Sequence, residues 1–332
     1  MKDEYKKLVF TPSEISDAYV QYAERIRQHA ENGLTWGVPS MDKAIIPLRP
    51  GDVIGIIARP GHGKSSLAAY LAKRTARSIM QGNGRGKQCV IFCTFEQTVE
   101  ECEAFFQSGQ QYNVSDFAWG RVPMDLIIKQ SIERINLPVW LMGRSLVRRR
   151  EAPRMTIENI YRAIDSLEKS EADGGYGIKP ALVIIDYIQI VPVENARERV
   201  QQVGEAILQS KELAANIGAP VVVCVQARRE VDSYKVKIPT ASDCQWASAI
   251  EQAADKLLGI WRPCLTHAKS IGDQVEVAGR KVTLTQNLFV AKLLKQRWYE
   301  AGQVFLLHFD PAAVKLADLE LRYSDPPPLG FG

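Results

Sequence analysis

The stretch Val53 to Leu67, V-I-G-I-I-A-R-P-G-H-G-K-S-S-L, decides how the rest of the chain is read. Val53 to Ile57 is an apolar run with the pattern of a buried parallel strand. It breaks at Ala58-Arg59-Pro60-Gly61-His62-Gly63. Lys64 and Ser65 then open an amphipathic run, Ser66 to Arg74, that reads as a helix. Strand, glycine turn, Lys-Ser and helix together make a phosphate-binding loop. Backbone N–H groups of such a turn point inward at anionic oxygens, and the helix N-terminus adds its positive dipole end. Residues 58 to 66 are therefore the candidate nucleotide-binding residues. Lys64 is placed to reach the β and γ phosphates, and the Ser65 hydroxyl to hold Mg²⁺. The first glycine of the usual pattern is Ala58 here, small enough for the position.

Outward from this stretch, 332 residues allow one α/β domain of about 250 residues plus extensions. Forty-two Lys and Arg against 38 Asp and Glu give a net charge of +4, which permits nucleic-acid binding without requiring it. None of the six cysteines forms a C-x-x-C pair. Cys93 and Cys224 lie in apolar runs and read as buried thiols, so a reducing compartment with no structural metal is expected. The N-terminus is charged and lacks a signal-peptide apolar region, and no apolar run approaches the roughly 20 residues that span a bilayer. The expectation is a cytoplasmic protein with no membrane partner.

Thr11-Pro12-Ser13-Glu14 starts a helix, with Thr as N-cap, Pro at the first position and Glu at the third. Ile15, Tyr19, Tyr22 and Ile26 follow at helical spacing, and Asn32-Gly33 ends it. Its modest apolar stripe fits packing on its own domain or docking on a neighbouring subunit. Cys89 to Phe95 is a second buried strand ending at Glu96, where a carboxylate can orient or deprotonate an attacking water, or simply cap the helix from Thr98 to Phe106. Glu100, Glu101 and Glu103 read as solvated. A helix over Ile127–Ile135 and a strand over Leu137–Met142 follow. Arg144, Arg148, Arg149, Arg150 and Arg154 form a basic stretch, read either as a solvated loop or as a contact for nucleic-acid phosphates.

Ala181 to Val191 reads as the most apolar strand, its wholly apolar half stopping on Asp186. A lone carboxylate there is costly to bury, and Mg²⁺ supplies a reason for it. A helix over Val203–Asn216 and a strand over Val221–Val225 come next. The strand ends at Gln226, with Arg228 and Arg229 just beyond. Strand and helix alternate throughout, which implies a parallel sheet with sites at the carboxyl ends of its strands. Lys256–Trp261, a hairpin around Gly279, Leu288–Leu294 and Val304–Phe309 complete the strands, and a proline-rich tail closes the chain.

Several blocks together resemble the C-terminal ATPase domain of DnaB-type replicative helicases, in the RecA-like superfamily. They are A-R-P-G-H-G-K-S at 58–65, F-E at 95–96, I-I-D-Y-I-Q-I at 184–190, V-Q-A-R-R at 225–229, S-D-C-Q-W-A-S-A-I-E-Q-A-A-D at 242–255 and K-Q-R at 295–297. The resemblance implies a RecA-like α/β fold with a mainly parallel sheet over residues 35–322 and a linker or docking helix over 1–34, while the proline-rich composition of 323–332 predicts a disordered tail. It implies ATP and Mg²⁺ as ligands. Glu96 is then the catalytic carboxylate, Asp186 the Walker B residue, and Gln226 the link from the γ-phosphate to DNA-facing loops. Lys295 and Arg297 are then the pair that reaches a neighbour's ATP site. The same resemblance implies a hexameric ring on single-stranded DNA, with a loader or host replication protein as a further partner. It tilts the N-terminal helix towards docking on the adjacent protomer.

Two departures stand out. The family's N-terminal collar domain has no counterpart in the roughly 34 residues before the core. Where the family shows Arg-Glu-Ser-Gly in a DNA-facing loop, Gln245-Trp246-Ala247-Ser248 stands here. Trp246 can stack on a base or belong to the core. Arg197, Arg199, Arg228 and Arg229 are then the basic candidates for DNA contact, with Gln245 and Trp246 beside them. The leading expectation is an ATP-driven helicase or translocase. The alternatives are a nucleotide-dependent assembly or adaptor protein that unwinds nothing, and a RecA- or KaiC-like ring, which the I-E-Q-A-A-D block disfavours.

Overall fold

The computed structural model describes residues 9–82, 84–107, 112–148, 151–193, 199–234, 237–244, 247–266 and 269–319. Eleven strands lie among them. They are β1 (Val53–Ala58), β2 (Gln88–Thr94), β3 (Val139–Met142), β4 (Lys179–Asp186), β5 (Val221–Gln226), β6 (Lys256–Trp261), β7 (Gln274–Val277), β8 (Arg280–Thr283), β9 (Leu288–Gln296), β10 (Val304–Asp310) and β11 (Lys315–Asp318). Nine form one sheet in the order β11-β10-β9-β6-β1-β5-β4-β2-β3, while β7 and β8 form a separate hairpin. From β6 to β3 every pairing is parallel, and β9, β10 and β11 add on antiparallel.

β1 sits at the centre, fully buried along its length. A strand covered on both faces has no need of polar alternation, which is why its run is uniformly apolar. Alternate residues still serve opposite faces. Ile54, Ile56 and Ala58 join the core beneath the Lys64–Gln81 helix, with Leu67 and Leu71. Val53 and Ile57 join the opposite core, with Ile160 and Ile164 of the Ile157–Glu168 helix and Ile207 and Leu213 of the Arg199–Ile217 helix. Because β1 is parallel to β5 and β6, their carboxyl ends share one rim of the sheet.

Several expectations shift. The Ala181–Val191 run is not one strand: β4 stops at Asp186, and Ile188–Ile190 turns as a 3₁₀ helix, burying Ile188 and Gln189 under the rim. Apolar content there reflects burial of a turn, not extension of the sheet. β2 stops at Thr94, so Glu96 lies in the bend beyond it. The helix read from Val203 begins at Arg199. Glu101 is exposed, as expected, and caps the Thr98 N–H at 2.7 Å, whereas Glu100 and Glu103 are half-buried and engaged: Glu103 faces Arg134 at 2.9 Å, and Glu100 accepts from Ser145 and from the Leu146 N–H at 3.2 Å. The Val114–Ala118 helix and β11 are additions, each too short to carry a clear periodicity.

The Pro12–Asn32 helix starts as read, with the Thr11 N–H donating to Glu14 at 2.7 Å and the Glu14 N–H to the Thr11 hydroxyl at 3.3 Å. Ile15, Tyr19, Val20 and Tyr22 are more than half exposed, so its apolar stripe is not packed on its own domain. No helix among the described residues is long and apolar enough to cross a membrane.

Candidate nucleotide site

β1 delivers the chain into the Arg59–Gly63 turn at the carboxyl rim, and the Lys64–Gln81 helix leaves it. Gly61 and Gly63 take φ of 77° and 88°, a region where a Cβ is strained, and this bends the turn back over the helix start. Ala58 is fully buried between Gln226 on β5 and the helix, so alanine fits where the usual pattern has glycine. Pro60 and Gly61 are at the turn's tip, Ser66 is buried in the helix's first turn, and His62 is 4% exposed. The Arg262 N–H donates to His62 Nδ1 at 3.1 Å, tying the turn to the end of β6. Nothing in the sequence pointed to this tie, which spans 200 residues.

Asp186, at the tip of β4, is 6% exposed, and its carboxyl is pushed above the usual range by burial. The Ser65 hydroxyl and the Cys224 thiol lie against it, and Lys64 opposes the shift by its charge. Burial lowers Lys64 in turn, while Asp186 and Glu96 hold it up. These mutual influences bring Lys64, Ser65, Asp186 and Glu96 together. The Phe95 N–H donates to the Asp186 carbonyl at 3.0 Å, which fastens the bend carrying Glu96 to the tip of β4. Glu96 itself is exposed, open to an incoming ligand. Asp186 Oδ1 is buried with no hydrogen-bond partner. An orphaned carboxylate oxygen beside a hydroxyl is a donor pair that suits a hard divalent cation such as Mg²⁺. Among the described residues no cluster of three or more His, Cys, Asp or Glu is placed to hold a metal by itself.

Gln226 ends β5 beside Ala58, and its carbonyl accepts from Gln189 Nε2 at 3.1 Å. Gln189 is a missed member of the site. Its signal was a lone amide between Ile188 and Ile190, and its Oε1 is buried without a partner. Arg59 turns its guanidinium to Asp232, at 3.0 to 3.1 Å, and to the Ala227 carbonyl at 3.0 Å. The phosphate loop is thus bolted to the segment that carries Arg228 and Arg229, both exposed. Arg197, Gln245 and Trp246 lie outside the described residues, as does the side chain of Arg199.

Lys295 and Arg297 are not brought to this rim. β9 runs antiparallel to β6 with Gln296 opposite Lys256, so the pair sits at the amino end of β6 and β1. Lys295 Nζ donates to the Glu251 carbonyl, and Arg297 Nη1 lies 3.3 Å from Asp255 Oδ1. Five residue steps of β1, roughly 16 Å, separate this end from the phosphate loop.

Comparison with known proteins gives the family and the fold. The family model described as DnaB-like helicase C terminal domain matches residues 33–318. Replicative DNA helicase DnaB of Mycoplasma genitalium is 27% identical over 237 residues, 70% of this chain and 47% of that protein. Replicative DNA helicase DnaC of Bacillus subtilis is 24% identical over 327 residues, 94% of this chain and 63% of that protein. The chain thus spans about half to five-eighths of the length of these relatives. Among solved structures, a DnaB-like replicative helicase, described with its interactions with primase, superposes with a TM-score of 0.72 at 19% identity, covering 92% of this chain and 69% of that one. An ATPase domain solved by itself superposes with a TM-score of 0.71 at 19% identity, covering 93% of this chain and all of that one. These structures share the fold, a RecA-like α/β domain with a mainly parallel central sheet, and the family match over residues 33–318 is decisive: the chain belongs to the DnaB-like helicase C-terminal domain family.

Proposed function

We propose that this chain is an ATP-driven motor of the DnaB type, acting as a ring of copies on single-stranded DNA. The observation that carries the reading is the gathering of Lys64, Ser65, Asp186 and Glu96 at one rim of the sheet, with Asp186 Oδ1 left open. The loop's N–H groups and Lys64 hold the triphosphate. Mg²⁺, held by Ser65 and Asp186, neutralises charge on the β and γ phosphates when bound. Glu96 orients the water that attacks in line with the leaving oxygen and accepts its proton. Gln226 reads the γ-phosphate. Its neighbours Ala227 and Asp232, both bonded to Arg59, pass a change at the phosphate loop to Arg228 and Arg229.

Lys295 and Arg297 lie too far from their own loop to serve it, so a second copy supplies them. The exposed stripe of the Pro12–Asn32 helix gives that copy a handle. A matching stripe, Met124, Ile128, Ile132 and Ile135, lies exposed along the Met124–Arg134 helix and just beyond it. A loader or host replication protein is a further partner of this reading, and the working compartment is the cytoplasm.

A second reading, a nucleotide-dependent adaptor that unwinds nothing, draws on the Arg297–Asp255 pair, which ties the candidate finger to its own chain. Hydrolysis measured with and without single-stranded DNA separates the two. The motor reading expects stimulation by DNA and loss of hydrolysis in Lys64→Ala, and hydrolysis indifferent to DNA would overturn it. Mixing Arg297→Ala with Glu96→Ala protein should restore some activity, because mixed interfaces contain one intact site. A mixture as inactive as its components would remove the shared site.

A further inference from the structure

The basic stretch after β3 has no part in the nucleotide site, yet it borders a large cavity outside it. That cavity, about 890 Å³, opens between the tips of β2 and β3, the turn after β4 and the Ile157–Glu168 helix. Phe95, Met142 and Met155 contribute apolar wall, while Arg144, Arg154 and Arg162 also line it, and among the described residues no carboxylate does. Arg162 pairs with Glu158, but Arg144 and Arg154 have no ion pair among the described residues. The backbone between β3 and the cavity mouth is held in place. Glu100 accepts from the Ser145 hydroxyl and the Leu146 N–H, and the Arg148 N–H donates to Ser145 Oγ at 2.8 Å. An apolar chamber rimmed by unpaired guanidinium groups matches a ligand with flat apolar parts strung on a polyanion.

We propose that this cavity is a second contact for single-stranded nucleic acid, taking a base against Phe95, Met142 and Met155 with the flanking phosphates on Arg144 and Arg154. Asn159, whose Nδ2 donates to the Arg154 carbonyl at 2.9 Å, also lines the cavity, and its amide offers a base edge both the Oδ1 acceptor and the second Nδ2 proton. Among the described residues neither Gln226 nor the segment after β5 lines it, and it stands whether or not the chain proves to be a motor.

The test uses the full chain with labelled oligo-dC of about 20 nucleotides and an abasic strand of the same length, titrated at several salt concentrations. Wild type should bind oligo-dC more tightly. Arg144→Glu with Arg154→Glu should weaken binding on the order of tenfold or more and lower the slope of log affinity against log salt by about 1.4, two single-strand contacts' worth. Ala163→Trp, filling the cavity from its helix, should shrink the advantage of oligo-dC over the abasic strand. Hydrolysis without nucleic acid should be unchanged in both variants, which reports that they fold and isolates this site from the nucleotide site. An unchanged salt slope in the double variant, or an advantage of oligo-dC over the abasic strand that survives Ala163→Trp undiminished, would overturn the proposal. So would a poly-glutamate peptide that displaces labelled oligo-dC as well as unlabelled oligo-dC does, since the cavity would then be an acidic-peptide site.

Discussion

Asp186 closes β4 at one rim of the sheet, and Asp255 precedes β6 at the other. Both are almost wholly buried, at 6% and 3% exposure. Asp255 is satisfied throughout: Oδ2 accepts from the Val53 N–H at 2.8 Å and from Lys211 Nζ at 2.5 Å, and Oδ1 faces Arg297 at 3.3 Å. Lys256, buried next to it in the chain, pairs with Asp52. Asp186 has a hydroxyl and a thiol against it, and one oxygen bonded to nothing. A buried carboxylate with all its partners holds strands together. One that lacks a partner costs free energy unless a ligand completes it. The same residue type is a rivet at one end and a socket at the other.

Arg297 is where this contrast is easiest to break, because it belongs to the riveted end yet is assigned to a neighbour's socket. Its side chain is 49% exposed, so its ion pair with Asp255 is screened and contributes less than about 1 kcal/mol. Arg297→Ala should therefore lower the unfolding free energy by no more than that, while ring-dependent hydrolysis falls about 10³-fold or more. Urea titration and steady-state hydrolysis measure the two. A loss of several kcal/mol with hydrolysis intact would make Arg297 a second rivet.

The aspartates themselves sharpen the contrast. Asp186→Asn should reduce hydrolysis by about 10² to 10³ and change stability little, since relief of a buried carboxylate oxygen without a partner offsets the loss of a counter-charge to Lys64. Asp255→Asn should cost about 3 kcal/mol or more in urea, because Lys211 loses its carboxylate partner next to the buried start of β1. Its hydrolysis, measured where it is folded, should stay near wild type. Equal behaviour of the two variants in both assays would erase the distinction.

How much of this was legible follows the same line. Asp186 announced itself because an acid ending an uninterrupted apolar run has no local partner to explain it. The phosphate loop announced itself because its chemistry is contiguous in sequence. Asp255 stood in a recognisable block, but its role depends on Val53, 202 residues away, and on Lys211, 44 residues away, and no spacing encodes such pairs. The tie from Arg262 to His62 and the hold of Glu100 on Ser145 escaped for the same reason. β4 was overextended because Tyr187 to Val191 is as apolar as the strand it follows, and only tertiary burial separates a covered turn from a covered strand. The placement of Lys295 and Arg297 at the far rim became readable only once β9 was seen to run antiparallel to β6.

The smallest effect concerns how the socket itself is kept in shape. His62 is held down to about 4, first by burial and then by the charges of Lys64, Arg262 and Arg59, with Asp232 working the other way. The neutral imidazole accepts from the Arg262 N–H, and a protonated ring cannot. An unfolded histidine takes its proton near 6.5, so between 6.5 and about 4 the unfolded chain binds more protons than the folded one. The contribution of His62 is therefore fully present above about pH 6.5. It drains away as the pH falls towards 4, a change of about 3 kcal/mol in all. Glutamine keeps an acceptor and never titrates. Thermal melts of wild type and His62→Gln from pH 8 to pH 4.5 should diverge below pH 6.5, with wild type falling faster, and two parallel curves would mean that the ring is already hydrated in the folded loop.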